Sequence, residues 1–120
     1  MPMSYLMLIM ERADRRNGRP PEQTAMEWER MVAYAGSLME RGVLESAQSL
    51  KSVAHGTRIE KRAGKTSIVD GPFAEAKEIV GGFYYLKNVD REAALAIAAN
   101  CPAAEWCSIE LREVGPCSES

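Results

Sequence analysis

The sequence predicts an α+β fold: a ferredoxin-like βαββαβ plan with an inserted β-hairpin and an antiparallel sheet. Three observations lead there. Segments of strand and helix character follow one another as strand, helix, strand, hairpin, strand, helix, strand. Each helical segment carries an apolar stripe at three- and four-residue steps, so each has one face to bury. Finally, the strand from Ile79 to Leu86 is apolar on both parities, with Ile79, Phe83 and Tyr85 on one side and Val80, Tyr84 and Leu86 on the other. Two helices cover one face of a sheet, so this strand needs a second cover on its other face. A second copy of the chain is the simplest, because a two-fold interface lets one patch serve both subunits. A homodimer is therefore expected.

The elements follow in order. Ser4 to Met10 has strand character, and the polar "ERADRRNGRPPEQ" after it carries Asn-Gly and Pro-Pro breakers. From Thr24, the apolar residues Ala25, Trp28, Val32, Ala35 and Met39 recur at helical spacing, while Glu22, Glu29, Arg30, Ser37 and Glu40 take the other side. Thr24 and Glu27 have capping-box spacing, Pro20 and Pro21 limit the helix upstream, and Gly42 supplies a left-handed C-cap. "VLESAQSL", 43–50, is a short weak strand or strand-like connection. "GTRIEKR" and "TSIVD" flank "AGK" as a hairpin with its glycine in the turn.

"DGP" is a turn signal, "FAEAKE" reads as one turn of helix, and "IVGGFYYL" as a strand with two glycines where side chains should pack. Asp90 N-caps a helix running apolar through Ala94, Ile97, Ala98 and Cys101 until Pro102 stops it. "WCSIELREV" is the last strand, alternating Cys107, Ile109 and Leu111 against Ser108, Glu110 and Arg112. Residues 1–114 are expected to form one domain, and 115–120, "GPCSES", a disordered tail.

Composition narrows the function classes. A chain of 120 residues with 46% hydrophobic and 27% charged residues is of ordinary globular make-up. Its net charge of −2 gives no general attraction to nucleic acid. Nothing approaches the roughly 20 apolar residues of a membrane span. Cys101, Cys107 and Cys117 are odd in number and lack CxxC spacing, which speaks against a disulfide framework or a zinc site and for a reducing cytosol. His55 stands alone in a loop without a second histidine, so no metal site is expected there. With no P-loop, GxSxG, HExxH or Rossmann glycine pattern, no cofactor is expected either.

Asp70 is the candidate catalytic residue. A carboxylate at a strand end beside an aromatic-walled cavity has its charged form disfavoured by desolvation and can serve as a general base near neutral pH. The same aspartate also suits an Asx-turn, accepting backbone N–H groups around Gly71 to Phe73. Gly71, Phe73, Glu75 and Lys77 are candidate ligand-binding residues beside it. Gly82 joins them, since the Gly81-Gly82 pair leaves room for a bulge, a close backbone approach or a ligand. Arg12, Arg15, Arg16 and Arg19 crowd the first loop, either as collectors of an anionic ligand or as a solvated cluster.

"DGPFAEAKEIVGGFYYL", followed by an Ala-rich helix ending in "NCPAA" and by "IELREV", resembles the YCII-related family in its DGPF-motif branch. The resemblance runs from about Val43 to Val114 and is strongest at Asp70 to Phe73, Glu75, Lys77 and Gly81 to Phe83. It implies a dimeric α+β barrel, in which ferredoxin-like subunits join through their sheets. It also implies either a cofactor-free enzyme using acid-base chemistry on a small organic molecule, or a non-catalytic sensor or interaction protein working with an extracytoplasmic-function sigma factor or other regulator. The acid-base pair of a helix histidine and a loop aspartate proposed for the original branch has no counterpart here, because the first helix lacks a histidine.

Overall fold

The computed structural model describes residues 3–117. Its first strand, β1 (Met3–Arg12), leads through a turn-rich loop to helix α1 (Pro21–Glu40). Strand β2 (Leu44–Ser49) follows, then a hairpin of β3 (Thr57–Arg62) and β4 (Lys65–Asp70). Strand β5 (Glu78–Val89), helix α2 (Arg91–Ala99) and strand β6 (Ser108–Glu113) complete the chain. Four strands form an antiparallel sheet in the order β2-β5-β1-β6, while β3 and β4 pair only with each other. This is an α+β arrangement consistent with the ferredoxin-like plan. No helix among the described residues is long and apolar enough to cross a membrane.

Both helices lie on one face of the sheet. Tyr34 of α1 donates to the Ile97 carbonyl of α2 at 2.6 Å, and Tyr84 of β5 donates to the Met31 carbonyl of α1 at 2.5 Å. The core between helices and sheet is built on Tyr5, Met7, Ile9, Leu38, Leu44, Tyr84, Leu86 and Ile97, all buried. Burial of each such side chain contributes about 1.5–3 kcal/mol. The α2 expectations hold: the Asp90 carboxylate accepts from the Ala93 N–H at 2.8 Å, and Pro102 begins a separate 3₁₀ turn. So does the C-cap of α1, where Gly42 has a φ of 73° and its N–H bonds to the Met39 carbonyl at 3.0 Å.

Three expectations are corrected. Helix α1 begins at Pro21, three residues before Thr24, and no side chain caps it. The Thr24 hydroxyl instead donates to the Pro20 carbonyl at 3.3 Å, and Glu27 points inward, so there is no capping box. The inward face of α1 is likewise rotated by one residue, carrying Glu27, Met31, Tyr34 and Leu38, whereas Trp28 is 58% and Met39 64% exposed. Finally, "FAEAKE" is a single turn, closed by the Ala76 N–H on the Phe73 carbonyl at 3.0 Å, and not a helix. It therefore has no aligned helix N-terminus to offer an anion.

The Gly81-Gly82 pair resolves into a β-bulge. Ile9 pairs with Gly82 but the next residue, Met10, pairs with Val80, so β5 carries one extra residue there. Parity flips across it: Ile79 stands with Tyr84 and Leu86 on the helix side, and Val80 with Phe83 and Tyr85 on the outer side. This outer side also carries Leu6, Leu8 and Met10 of β1, and its apolar residues are half-buried on the face away from the two helices.

The β3–β4 hairpin projects from the body. Every residue in both strands is exposed, and Ile59 and Ile68, paired face to face, are 64% and 66% exposed. The Cα radius of gyration, 16.3 Å, exceeds the roughly 13.6 Å of a compact chain of this length accordingly. Of the expected tail, 115–117 carry no strand or helix and 118–120 lie outside the described residues.

Candidate functional site

A cavity of about 410 Å³ opens between α1 and the helix-side face of β1, β2 and β5. Its apolar wall includes Ile9, Trp28, Met31, Val32, Ala35, Tyr84 and Trp106. Its charged end gathers Glu11 from the end of β1, Arg15, Arg16 and Arg19 from the following loop, and Glu27 from α1. The loop turns are held by backbone bonds such as Arg15 N–H to the Arg12 carbonyl at 3.0 Å, which fold the arginines back over the cavity.

Glu27, 6% exposed, is saturated. It accepts from Arg15, from Arg19 at 2.9 Å and from the Gln23 amide at 3.1 Å. Burial pushes its carboxyl up, but these hydrogen bonds outweigh burial and hold it below the usual carboxylate range. Arg15 is opposed by its own burial and held fully charged by Glu27, with Glu11 reinforcing. Its guanidinium also stands 5.7 Å from the centre of the Trp106 ring. The loop arginines divide: Arg15 and Arg19 side chains are only 14% and 18% exposed, whereas Arg12 is 77% exposed, pairs with Asp14 and does not line the cavity.

Glu11, 4% exposed, is not saturated. Arg16 Nε lies 2.8 Å from Oε1 as an ion pair, without making a hydrogen bond to that oxygen. Arg15 Nη1 is 3.9 Å from the other oxygen, an ionic contact only. Arg16 spends its other nitrogens on the Leu50 carbonyl at 2.7 Å and the Gly81 carbonyl at 3.3 Å, tying the loop to the bulge.

The bulge explains the glycines. A Cβ on Gly81 would stand 2.7 Å from Glu11 Oε1 and 3.2 Å from Arg16 Nη2, and one on Gly82 would stand 2.8 Å from the Gln48 carbonyl. Close approach, one of the readings open from sequence, is thus realised at both, and both line the cavity. Cys107 also lines it, its thiol pushed up by burial, with Arg15 pulling the other way.

The remaining sequence candidates sit elsewhere. Asp70 is exposed at the end of β4, where its carboxylate accepts from the Thr57 hydroxyl at 3.0 Å, and it does not line the large cavity. Gly71 follows it, half-buried, where a Cβ would come within 2.0 Å of the Val53 carbonyl, so only glycine fits. Phe73 stacks under the Arg58 guanidinium at 4.1 Å, and Arg58 also pairs with Glu75, which is exposed and held below its ordinary range by that bond. Together they border a smaller cleft of about 220 Å³. The Lys77 side chain is exposed, and its backbone carbonyl accepts from Ala13 N–H at 2.9 Å. Of the six candidates, Gly82 alone belongs to the large cavity.

The sequence reading missed Glu11 and Glu27. Their available signal was an acidic residue ending an apolar strand and another inside a helix, each within reach of a four-arginine loop. Among the described residues no three His, Cys, Asp or Glu side chains gather as a metal site. No curated protein matches the chain. The family model of the YCII-related domain matches residues 3–118, nearly the whole length. The chain thus belongs to the YCII-related family.

Proposed function

We propose that this YCII-related chain binds a small organic molecule in the cavity between α1 and the sheet, and is equipped there for cofactor-free acid-base chemistry. One observation carries the reading: an apolar-walled space of about 410 Å³ whose inner end gathers five ionisable side chains. Ligand sites are commonly of this size, mostly apolar with a few convergent polar groups. Glu11 is the group with spare capacity, since one of its oxygens accepts nothing, while Glu27 spends its lone pairs on positioning the arginines. Asp70 in this reading is a turn-former, and "DGPF" at 70–73 supports assigning the chain to the DGPF-motif branch.

The working molecule is a cytosolic homodimer joined through the outer face of the sheet, as in a dimeric α+β barrel. The half-buried apolar stripe of Leu6, Leu8, Met10, Val80, Phe83 and Tyr85, on the face away from the helices, supports this, since apolar surface of that kind favours burial against a like surface. The projecting hairpin, with Ile59 and Ile68 exposed, adds a second patch for the partner to cover.

A cavity-filling variant tests the ligand reading. Ala47 of β2 faces the cavity opposite Tyr84, so Ala47→Phe places a ring in the space without touching the charged end. The variant should melt cooperatively and lose at least tenfold in affinity for any ligand found by thermal-shift screening of the wild type. Equal affinity in a folded Ala47→Phe would place the ligand elsewhere.

A further inference from the structure

The three arginines at the charged end of the cavity are not equally spent. Arg16 uses every nitrogen of its guanidinium, with Nε 2.8 Å from Glu11, Nη1 on the Leu50 carbonyl at 2.7 Å and Nη2 on the Gly81 carbonyl at 3.3 Å. Arg15 gives Nη2 to Glu27, holds Nη1 3.9 Å from Glu11 and lies 5.7 Å from the centre of the Trp106 ring. Arg19 gives only Nη1, to Glu27 at 2.9 Å. Its Nε and Nη2 have no partner, and together they carry the parallel N–H pair that grips a carboxylate with two bonds. Glu11 Oε1 is the one side-chain atom among the described residues that is both buried and without a partner, so the free pair on Arg19 is open to approach. The guanidinium itself separates that edge from Glu27. Across the whole lining three guanidiniums face two carboxylates, so one positive charge is left over between apolar walls, where it is weakly screened.

We infer that the cavity takes a small organic monocarboxylate with a ring-sized apolar body: the carboxylate seats on Nε and Nη2 of Arg19, and the body lies against Trp28 and Val32. The inference rests on the cavity being the ligand site. Arg19, Trp28 and Val32 all line it. The two apolar residues are 58% and 51% exposed, surface that the subunit leaves to water and that an apolar ligand would cover. One surplus charge sets the class as a monoanion, because a second carboxylate would meet Glu27 or Glu11 with no cation left to offset it. A cation would add to the surplus, and a neutral amide would leave the charge standing. The cavity, at about 410 Å³, is at the small end of ligand sites, which run from roughly 300 to 1,000 Å³, and so suits one ring rather than several.

Phenylacetate, phenylacetamide and 2-phenylethylamine share one size and differ in charge, and are titrated calorimetrically into the wild-type chain. Phenylacetate should bind about tenfold more tightly than the amide, the scale of a charge-assisted hydrogen bond, and the amine should be weakest. Arg19→Lys keeps a cation for Glu27 but replaces the planar pair by a single ammonium. In that variant the ratio of phenylacetate to amide affinity should fall several-fold, and in Ala47→Phe both compounds should weaken. The Arg19 Nε–H signal in NMR of the wild type should move with phenylacetate and stay in place with the amine, a readout that holds whether or not Arg19→Lys folds. Equal affinity of acid and amide for the wild type, or tightest binding by the amine, overturns the anion class; if Ala47→Phe abolishes that binding, the cavity stands as a ligand site. An unchanged ratio in a folded Arg19→Lys, or an Arg19 signal that ignores phenylacetate, overturns the role of Arg19. Phenylacetate binding that a folded Ala47→Phe leaves intact overturns the cavity reading and the inference with it. No binding by any of these compounds at millimolar concentration overturns the inference alone, since the thermal-shift screen tests the cavity with other ligands.

Discussion

Replacing Glu27 by alanine tests whether the first loop is organised around a buried anion. The carboxylate is 6% exposed and receives Arg15, Arg19 and Gln23. Removing one partner of a buried pair costs about 3–5 kcal/mol, because the other charge is left without compensation. Here the stranded guanidiniums are 14% and 18% exposed and regain part of their hydration, so the expected loss is about 2–4 kcal/mol. In urea, with a slope of about 1–3 kcal/mol per molar, the unfolding midpoint should fall by on the order of 1–2 M. Acid supplies a second reading. Hydrogen bonds hold the Glu27 carboxyl below its ordinary 4.5, and a depressed carboxyl gives stability that is complete above the unfolded value and lost as pH falls through the lower folded one. The stability gap between wild type and Glu27→Ala should therefore be full at neutral pH and narrow once pH drops beneath 4.5. A loss under about 1 kcal/mol, the worth of an exposed pair, or a gap that ignores acid, would refute the buried-anion account.

The assembly is read by light scattering: the wild type should run near twice its 13.3 kDa chain mass, and Phe83→Glu or Tyr85→Lys on the outer face should bring it down to one chain. A wild type that is already monomeric would remove the barrel dimer. At Asp70 the single hydrogen bond from Thr57 is exposed, so Asp70→Asn and Asp70→Ala should each cost under about 1 kcal/mol in urea melts and leave ligand affinity unchanged. A folded Asp70→Asn with turnover down a hundredfold or more would return the catalytic role to that residue.

What the sequence made legible was local. The Asp90 cap, the Pro102 stop and the Gly42 C-cap depend on neighbours a few residues away, and each stands where its chemistry put it. Hairpin β3–β4 is of the same kind: Ala63 and Gly64 take the two left-handed turn positions at φ 51° and 76°. The inward face of α1 failed because a periodicity count sends glutamate outward, and one residue is about 100° of rotation, enough to exchange Glu27 for Trp28. Only the arginines folding back from the preceding loop make Glu27 an inward residue, and that pairing is tertiary. The two-sided reading of β5 holds, but its assignment of Ile79 and Val80 to faces failed differently. It assumed an unbroken period of two, while Gly81 inserts one residue and reverses every side chain beyond it.

The cluster is also hard to explain as a device for stability. A buried ion group of this sort is often no better than apolar residues of the same volume. If stability were the reason, both carboxylates would be saturated alike, since each unfilled acceptor subtracts from whatever the ion pairs return. They are not alike. Glu27, on the helix, takes three donors and fixes the loop. Glu11, on the strand, keeps one oxygen without a donor beside a glycine bulge that no larger residue could enter without displacing it. The bulge in turn is tied to the loop by Arg16, which bonds the Gly81 carbonyl and contacts Glu11 at once. Loop, bulge and carboxylate form one connected unit, held together through Arg16. That coupling gives Gly81 its reason: it lets the strand pass close beneath the charged pair, where a Cβ would stand 2.7 Å from the Glu11 carboxylate and 3.2 Å from the Arg16 guanidinium.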